Sequence, residues 1–234
     1  MRRFFLGLWA FTALVHLVFL AALHHVLSSL RAPSPWPIAL GVTLALVALF
    51  RYRLSLTASD RPISGLRRTF EHLYHTHWCA TLGAAVLAVV LGALLLLAHL
   101  VAKIAGATLP ELGGPLAVAS YGIALAMATY GVWIRARWVR VRSIDVPVRG
   151  LDPALEGYKI AQLSDLHIGS HTSRRRTTSW VDTANAQQAD MVALTGDYVT
   201  NGVLFHAEIA RVLSRLRAKD AVVATLGNHD YFGD

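Results

Sequence analysis

Three short polar bursts hold the residues of this chain whose types and spacing could do chemistry. Asp165 and His167 stand in Ser164-Asp165-Leu166-His167, Asp197 in Thr195-Gly196-Asp197-Tyr198, and Asn228, His229 and Asp230 in Gly227-Asn228-His229-Asp230. Oxygen and imidazole donors in this mix suit Mn²⁺, Fe or Zn²⁺ better than Ca²⁺. Alternate residues of an extended segment face the same way, so the Asp-x-His spacing lets both side chains reach one ion. Gly196 and Gly227 allow the tight backbone exit that places the next side chain in a crevice. One such pair alone is more often a turn or a cap than a ligand set. Three bursts, each after an apolar run, are hard to obtain by chance.

Those apolar runs are the elements that must position the bursts. Residues 158–163, 191–194 and 221–226 are read as buried-type strands. Between them, helices are predicted over 173–187, with Val181 and Ala184 on one face, and over 205–216, with Ile209, Val212, Leu213 and Leu216 at helical spacing. Strands alternating with helices imply a mainly parallel sheet, and its ligands bind beyond the carboxyl ends of the strands. All three bursts then emerge at one sheet edge. Residues 139–148 alternate apolar and polar and are read as a further strand, followed by the turn-rich 150–157. Arg174, Arg175 and Arg176 read as a solvated helix start, or as a patch collecting an anionic substrate.

Taken together, the motifs resemble the first three of the calcineurin-like metallophosphoesterases in order and spacing, over residues 143–234. The stretches 144–147 and 157–163 are similar to the membrane-anchored bacterial branch of that family. The resemblance implies an α/β sandwich and two divalent metal ions, with Mn, Fe or Zn all acceptable. Asp165 and His167 would hold the first ion, Asp197 would bridge both, and Asn228 would bind the second. His229 would act beside the substrate as general acid or phosphate-stabilising group, with Asp230 orienting its ring. The implied activity is hydrolysis of phosphomonoester, phosphodiester or pyrophosphate bonds. The family also uses a downstream His and a Gly-His-x-His motif. Here the sequence ends at Asp234, and the other histidines of this half, His171 and His206, precede the third motif. The expectation is therefore an incomplete sandwich: the amino-terminal portion of a phosphoesterase, impaired as given.

The other half has a different composition. The whole chain is 55% hydrophobic and 15% charged, against about 45–50% and 25% in soluble domains. Residues 1–142 carry 13 basic and 3 acidic side chains, and residues 143–234 carry 9 and 11. The basic excess thus belongs to the greasy part, and nucleic-acid binding is not expected of the other. A single cysteine, Cys79, excludes a disulfide framework. Apolar stretches at about 4–30, 33–50, 78–102 and 112–134 predict a membrane bundle of four spans within a region 1–139, followed by a domain at 140–234. Prolines 33, 35 and 37 make the second span the weakest. With four spans, eleven arginines flank one side (Arg2, Arg3, Arg51, Arg53, Arg61, Arg67, Arg68, Arg135, Arg137, Arg140, Arg142), against Arg31 and Lys103 on the other. The positive-inside rule then puts both termini and the catalytic part in the cytoplasm, on a bacterial cytoplasmic membrane.

The expected partners are membrane lipids and a phosphate-ester substrate, and tethering suits a lipid-linked one. The competing reading is a four-helix ion sensor or transporter. It would use His16, the deepest histidine, or the cluster Glu71, His72, His75, His77 and Cys79, which is otherwise an interfacial loop. On a helix, Glu71, His75 and Cys79 would share one face.

Overall fold

The computed structural model describes residues 2–57, 65–169, 172, 174–200 and 205–231. Arg61 and His171 lie outside the described residues. The chain divides into two compact units, Met1–Leu56 with Leu66–Ala136, and Thr57–Gly65 with Arg137–Asp234.

The first unit contains α1 (Arg2–Ser29), α2 (Pro35–Thr57), α3 (Gly65–Ile104) and α4 (Gly113–Thr129). A π-helical turn, Tyr130–Ile134, extends α4, and a 3-10 turn, Arg135–Arg137, follows. All four helices are long and apolar enough to cross a membrane. The prolines do not shorten α2, because Pro35 and Pro37 occupy its first turn, where a missing N–H costs nothing. Arg31 and Ser34 take left-handed backbone angles, φ 54° and 53°, to make the sharp connection from α1. The 40 residues of α3 make a rod of about 60 Å, twice the thickness of a bilayer's hydrocarbon core. The 71–79 cluster is therefore helical, not an interfacial loop.

Polar tips on aromatic and small side chains join these helices. Trp9 Nε1 donates to the Val47 carbonyl (3.2 Å), and Tyr74 donates to the Leu46 carbonyl (2.7 Å). Trp78 Nε1 donates to Thr12 Oγ1 (3.3 Å), and Trp133 Nε1 to Thr76 Oγ1 (2.9 Å). His16, fully buried, donates from Nδ1 to the Thr12 carbonyl at 2.7 Å. That leaves its Nε2 as an acceptor for His77 Nε2–H at 3.3 Å, and His77 Nδ1 then accepts the Tyr121 hydroxyl at 2.9 Å. Where α3 passes α4, a Cβ on Gly83 would sit 3.2 Å from that of Ala124, the close helix approach that small residues permit.

The second unit is built on a parallel sheet of β1 (Ile160–Leu163), β2 (Met191–Leu194) and β3 (Ala221–Ala224), in the order β1-β2-β3. The register pairs Ile160 with Met191 and Met191 with Ala221. Helices α5 (Arg174–Asn185) and α6 (His206–Leu213) supply the crossovers. Val181 and Ala184 of α5 and Ile209 and Val212 of α6 pack with Val192, Leu194 and Ile168 in the core. β3 is exposed along its whole length, so among the described residues a second layer of a sandwich is missing. Residues 139–148 belong to no strand among the described residues and are exposed. An alternating pattern marks a half-buried strand only where a neighbouring strand supplies a ladder, and among the described residues none pairs with 139–148. Between this segment and β1 lies a trough of about 1780 Å³, with Ser164 and Asp165 at its rim.

Ile209 is 7% exposed within this core, so Ile209→Ala should destabilise the second unit by about 2–5 kcal/mol. Pulse proteolysis of the full chain in urea measures this as a lowered midpoint for cleavage within residues 137–234.

Candidate metal centre

β1 ends at Leu163 and β2 at Leu194, but the two chains stay side by side beyond them. Asp165 N–H donates to the Gly196 carbonyl (3.1 Å), His167 N–H to the Asp197 carbonyl (3.0 Å), and Ile168 N–H to the Tyr198 carbonyl (2.7 Å). A bridge between Ile168 and Val199 closes the run. Within it, Asp165 (φ 55°), His167 (φ 42°) and Asp197 (φ 56°) all adopt the left-handed conformation. Asp and His enter that region more readily than most residues, yet each such residue stores about 1–3 kcal/mol of strain. Such outliers concentrate at functional sites.

The crossing of the second and third loops depends on two glycines. Gly196 has φ 95°, and a Cβ there would meet the Gly227 backbone; one on Gly227 would lie 2.6 Å from the Asp197 nitrogen. Neither position accepts a side chain.

This arrangement brings His167, Asp197 and His229 together. One ligand atom from each lies within 4.8 Å of the others. His167 Nε2 is 3.9 Å from Asp197 Oδ2 and 3.8 Å from Asp165 Oδ1, too far for hydrogen bonds. The His167 and His229 rings meet edge to face at 4.7 Å. Asp197 divides its carboxylate: Oδ1 accepts the His229 backbone N–H at 2.9 Å, and Oδ2 faces the cluster. Asp165 is more peripheral, 65% exposed, and takes a 2.5 Å bond from the Ser164 hydroxyl on Oδ2. Asn228 opens the 3-10 turn Asn228–Tyr231 and is exposed.

One expectation is corrected. Asp230 does not orient the His229 ring; its carboxylate accepts four backbone N–H groups. Oδ2 takes those of Gly227 and Asp197, both at 2.8 Å, and Oδ1 takes those of Tyr198 (2.8 Å) and Val199 (3.2 Å). Partial burial alone would raise its pKa, but these four donors prevail and hold it below the ordinary carboxylate range. The His229 ring is held by the Thr200 carbonyl, which accepts from Nδ1 at 3.0 Å. No motif announced that contact, since a main-chain oxygen leaves no mark in sequence. Thr172 and Thr200 hydroxyls both donate to the His167 carbonyl, at 3.1 and 3.0 Å.

The donors fit a divalent metal ion: the His167 imidazole and the Asp197 carboxylate converge, and the His229 ring stands beside them, held through Nδ1 by the Thr200 carbonyl. Arg176 stacks over the Trp180 ring at 5.3 Å, the geometry of a structured helix face.

Residues 158–234 match the family model of calcineurin-like phosphoesterases. The chain is similar to a transmembrane protein with metallophosphoesterase domain from Danio rerio, 28% identical over 110 residues, 47% of this chain and 25% of that protein. It is 34% identical over 91 residues to a putative metallophosphoesterase of Caenorhabditis elegans, 39% of this chain and 19% of that one. An uncharacterized metallophosphoesterase of Bacillus subtilis is 26% identical over 115 residues, 46% of this chain and 40% of its own length. The chain thus spans about a quarter of the length of the first curated relatives it matches. No solved structure matches it.

Removing the Asp230 carboxylate should loosen all three loops, and Asp230→Ala should weaken Mn²⁺ binding by about 10–100-fold, read by electron paramagnetic resonance. Because the folded pKa is depressed, the stabilisation from Asp230 is fully present above the ordinary carboxylate pKa. It is lost as pH falls through the depressed value. Acid unfolding followed by tryptophan fluorescence should accordingly be flatter with pH in Asp230→Asn than in the native chain.

Proposed function

With a calcineurin-like metallophosphoesterase domain at residues 158–234 as premise, we propose that this protein is a membrane-anchored, metal-dependent hydrolase of phosphate esters. The observation that carries the reading is the convergence of His167, Asp197 and His229 on one point beyond the carboxyl ends of parallel strands. In this reading Asp165, His167, Asp197 and Asn228 hold two divalent ions, Mn, Fe or Zn. Bound there, such ions supply positive charge opposite the phosphoryl oxygens and lower the pKa of a bound water towards 7.

The chain's own residues do the rest. Asp197 presents Oδ2 to the site because its other oxygen is occupied by the His229 N–H. The amide of Asn228 binds without adding charge, which eases entry of an anionic phosphate. His229, its Nδ1 bonded to the Thr200 carbonyl, presents Nε2 beside the site as the general acid for the leaving oxygen. Asp230 is a positioning residue, acting through the loops it ties.

Four helices long and apolar enough to span support multi-pass anchoring, and relatives named as transmembrane proteins agree with it. The arginine asymmetry supports a site on the cytoplasmic side. Substrates carrying phosphomonoester, phosphodiester or pyrophosphate groups suit the donor set, and tethering favours one borne by a lipid. The ion-carrier alternative is less well supported. His16 and His77 are satisfied by each other, Thr12 and Tyr121, and Arg53 pairs with Glu71 and His75.

Membranes carrying the protein should hydrolyse bis(p-nitrophenyl) phosphate or p-nitrophenyl phosphate on addition of Mn²⁺. Asp197→Asn should abolish that activity, and His229→Ala should lower it by about 10²–10⁴-fold. Mn²⁺-dependent turnover that survives Asp197→Asn unchanged would overturn the assignment.

A further inference from the structure

The two histidines of the metal centre are held in different ways. His229 is anchored through its ring, Nδ1 on the Thr200 carbonyl at 3.0 Å. Among the described residues, no hydrogen bond reaches either ring nitrogen of His167, and the Asp165 and Asp197 carboxylate oxygens stand 3.8 and 3.9 Å from its Nε2. A metal-binding histidine is usually aimed by a bond to its other nitrogen. Here the aim comes from the main chain that carries the ring, and that main chain is left-handed, φ 42°. A residue stays in that region only where its surroundings over-determine it.

Two hydroxyls complete the constraint. His167 N–H is committed to the Asp197 carbonyl at 3.0 Å. Its own carbonyl accepts from Thr172 Oγ1 at 3.1 Å and from Thr200 Oγ1 at 3.0 Å, which uses both lone pairs. Each threonine is itself tied through its backbone: Thr172 N–H donates to the Gly169 carbonyl at 3.0 Å, and Thr200 N–H to the Ile168 carbonyl at 3.4 Å. Gly169 leaves the room this needs, since a Cβ there would lie 2.8 Å from Thr200 Oγ1. Thr200 therefore holds the ring of one histidine with its carbonyl and the backbone of the other with its hydroxyl.

We propose that Thr172 and Thr200 are positioning residues of the metal centre. Their hydroxyls clamp the His167 carbonyl, which aims the ring without a hydrogen-bond partner of its own, and Thr200 keeps it in register with His229. The proposal deepens the metal-centre reading and rests on it. Valine has the shape of threonine and no donor, so it fails at both positions, whereas serine serves. Loss of one hydroxyl leaves the other on the carbonyl, and loss of both frees it. The two changes are in one network, and their effects on metal binding are more than additive.

The full chain in detergent is titrated with Mn²⁺, with affinity read by electron paramagnetic resonance and imidazole coupling to the bound ion read by electron spin echo modulation. Thr172→Val and Thr200→Val should each weaken binding about threefold. The double Val variant should weaken it about thirtyfold and diminish the nitrogen modulation. The double Ser variant, which keeps both hydroxyls, should match the native chain. Pulse proteolysis in urea checks folding. A purely structural role would lower the urea midpoint and leave the Mn²⁺ affinity and modulation of folded Val variants native, and that result overturns the proposal. A double Ser variant as weak as the double Val variant also overturns it. Where the double Val variant fails to fold, Thr200→Val against Thr200→Ser decides, by the same two readouts. A native chain that shows no imidazole-coupled Mn²⁺ overturns the metal-centre reading and the clamp with it, whereas coupling that survives in the Val variants overturns the clamp alone.

Discussion

One carboxylate organises the chemical end of the second unit. Asp230 gathers the N–H groups of Gly227, Asp197, Tyr198 and Val199, so the loop after β3 is tied to the loop after β2. The loop after β1 is tied to the same strand end through the Gly196, Asp197 and Tyr198 carbonyls. The loop after β2 is thus gripped on one side by carbonyl acceptance and on the other by N–H donation. Only a backbone so over-determined keeps Asp165, His167 and Asp197 in left-handed conformations. Strain at these positions is repaid by hydrogen bonds that need no side chain of their own.

The helical unit follows a different rule with the same outcome. Between apolar helices, lipid and neighbour are equally greasy, so specificity comes from hydrogen bonds and close approach. Thr12, His16, Thr76, His77, Trp78, Tyr121 and Trp133 supply the first, and Gly83 against Ala124 supplies the second. His77 is the hub, reaching α1 through His16 and α4 through Tyr121. A histidine deep in a span invites a functional reading. Here the tautomer chain from Tyr121 to Thr12 leaves no valence open, and the ring serves helix register.

How much of this was legible in the sequence varies by the kind of information involved. The residues that converge, and the strands that carry them, could be read because periodicity and burst spacing are local. β2 falls where expected, at Met191–Leu194, and the helix starts at Arg174 and His206 lie within one residue of expectation. Three features were not legible. Residues 139–148 have strand alternation but no partner, and pairing is not encoded in one segment. Asp230 looked like the orienter of its neighbour His229, because adjacency in sequence suggests adjacency in function; three of the four N–H groups it accepts lie 31 to 33 residues upstream. The loop expected over 71–79 is helix because apolar residues continue past its polar face, and Arg53, from another helix, neutralises Glu71.

The π turn at Tyr130–Ile134 has a consequence for how this chain can vary. A wider turn accommodates one residue more than a regular helix would over the same rise, so it amounts to a tolerated insertion. Every residue after it is rephased by about 100° around the axis relative to an uninterrupted α4. Trp133 reaches Thr76 and His72 from within that insertion. A sequence shorter by one residue here would form a more regular helix and lose the contact. Length in this stretch, more than residue identity, is what selection would have to conserve.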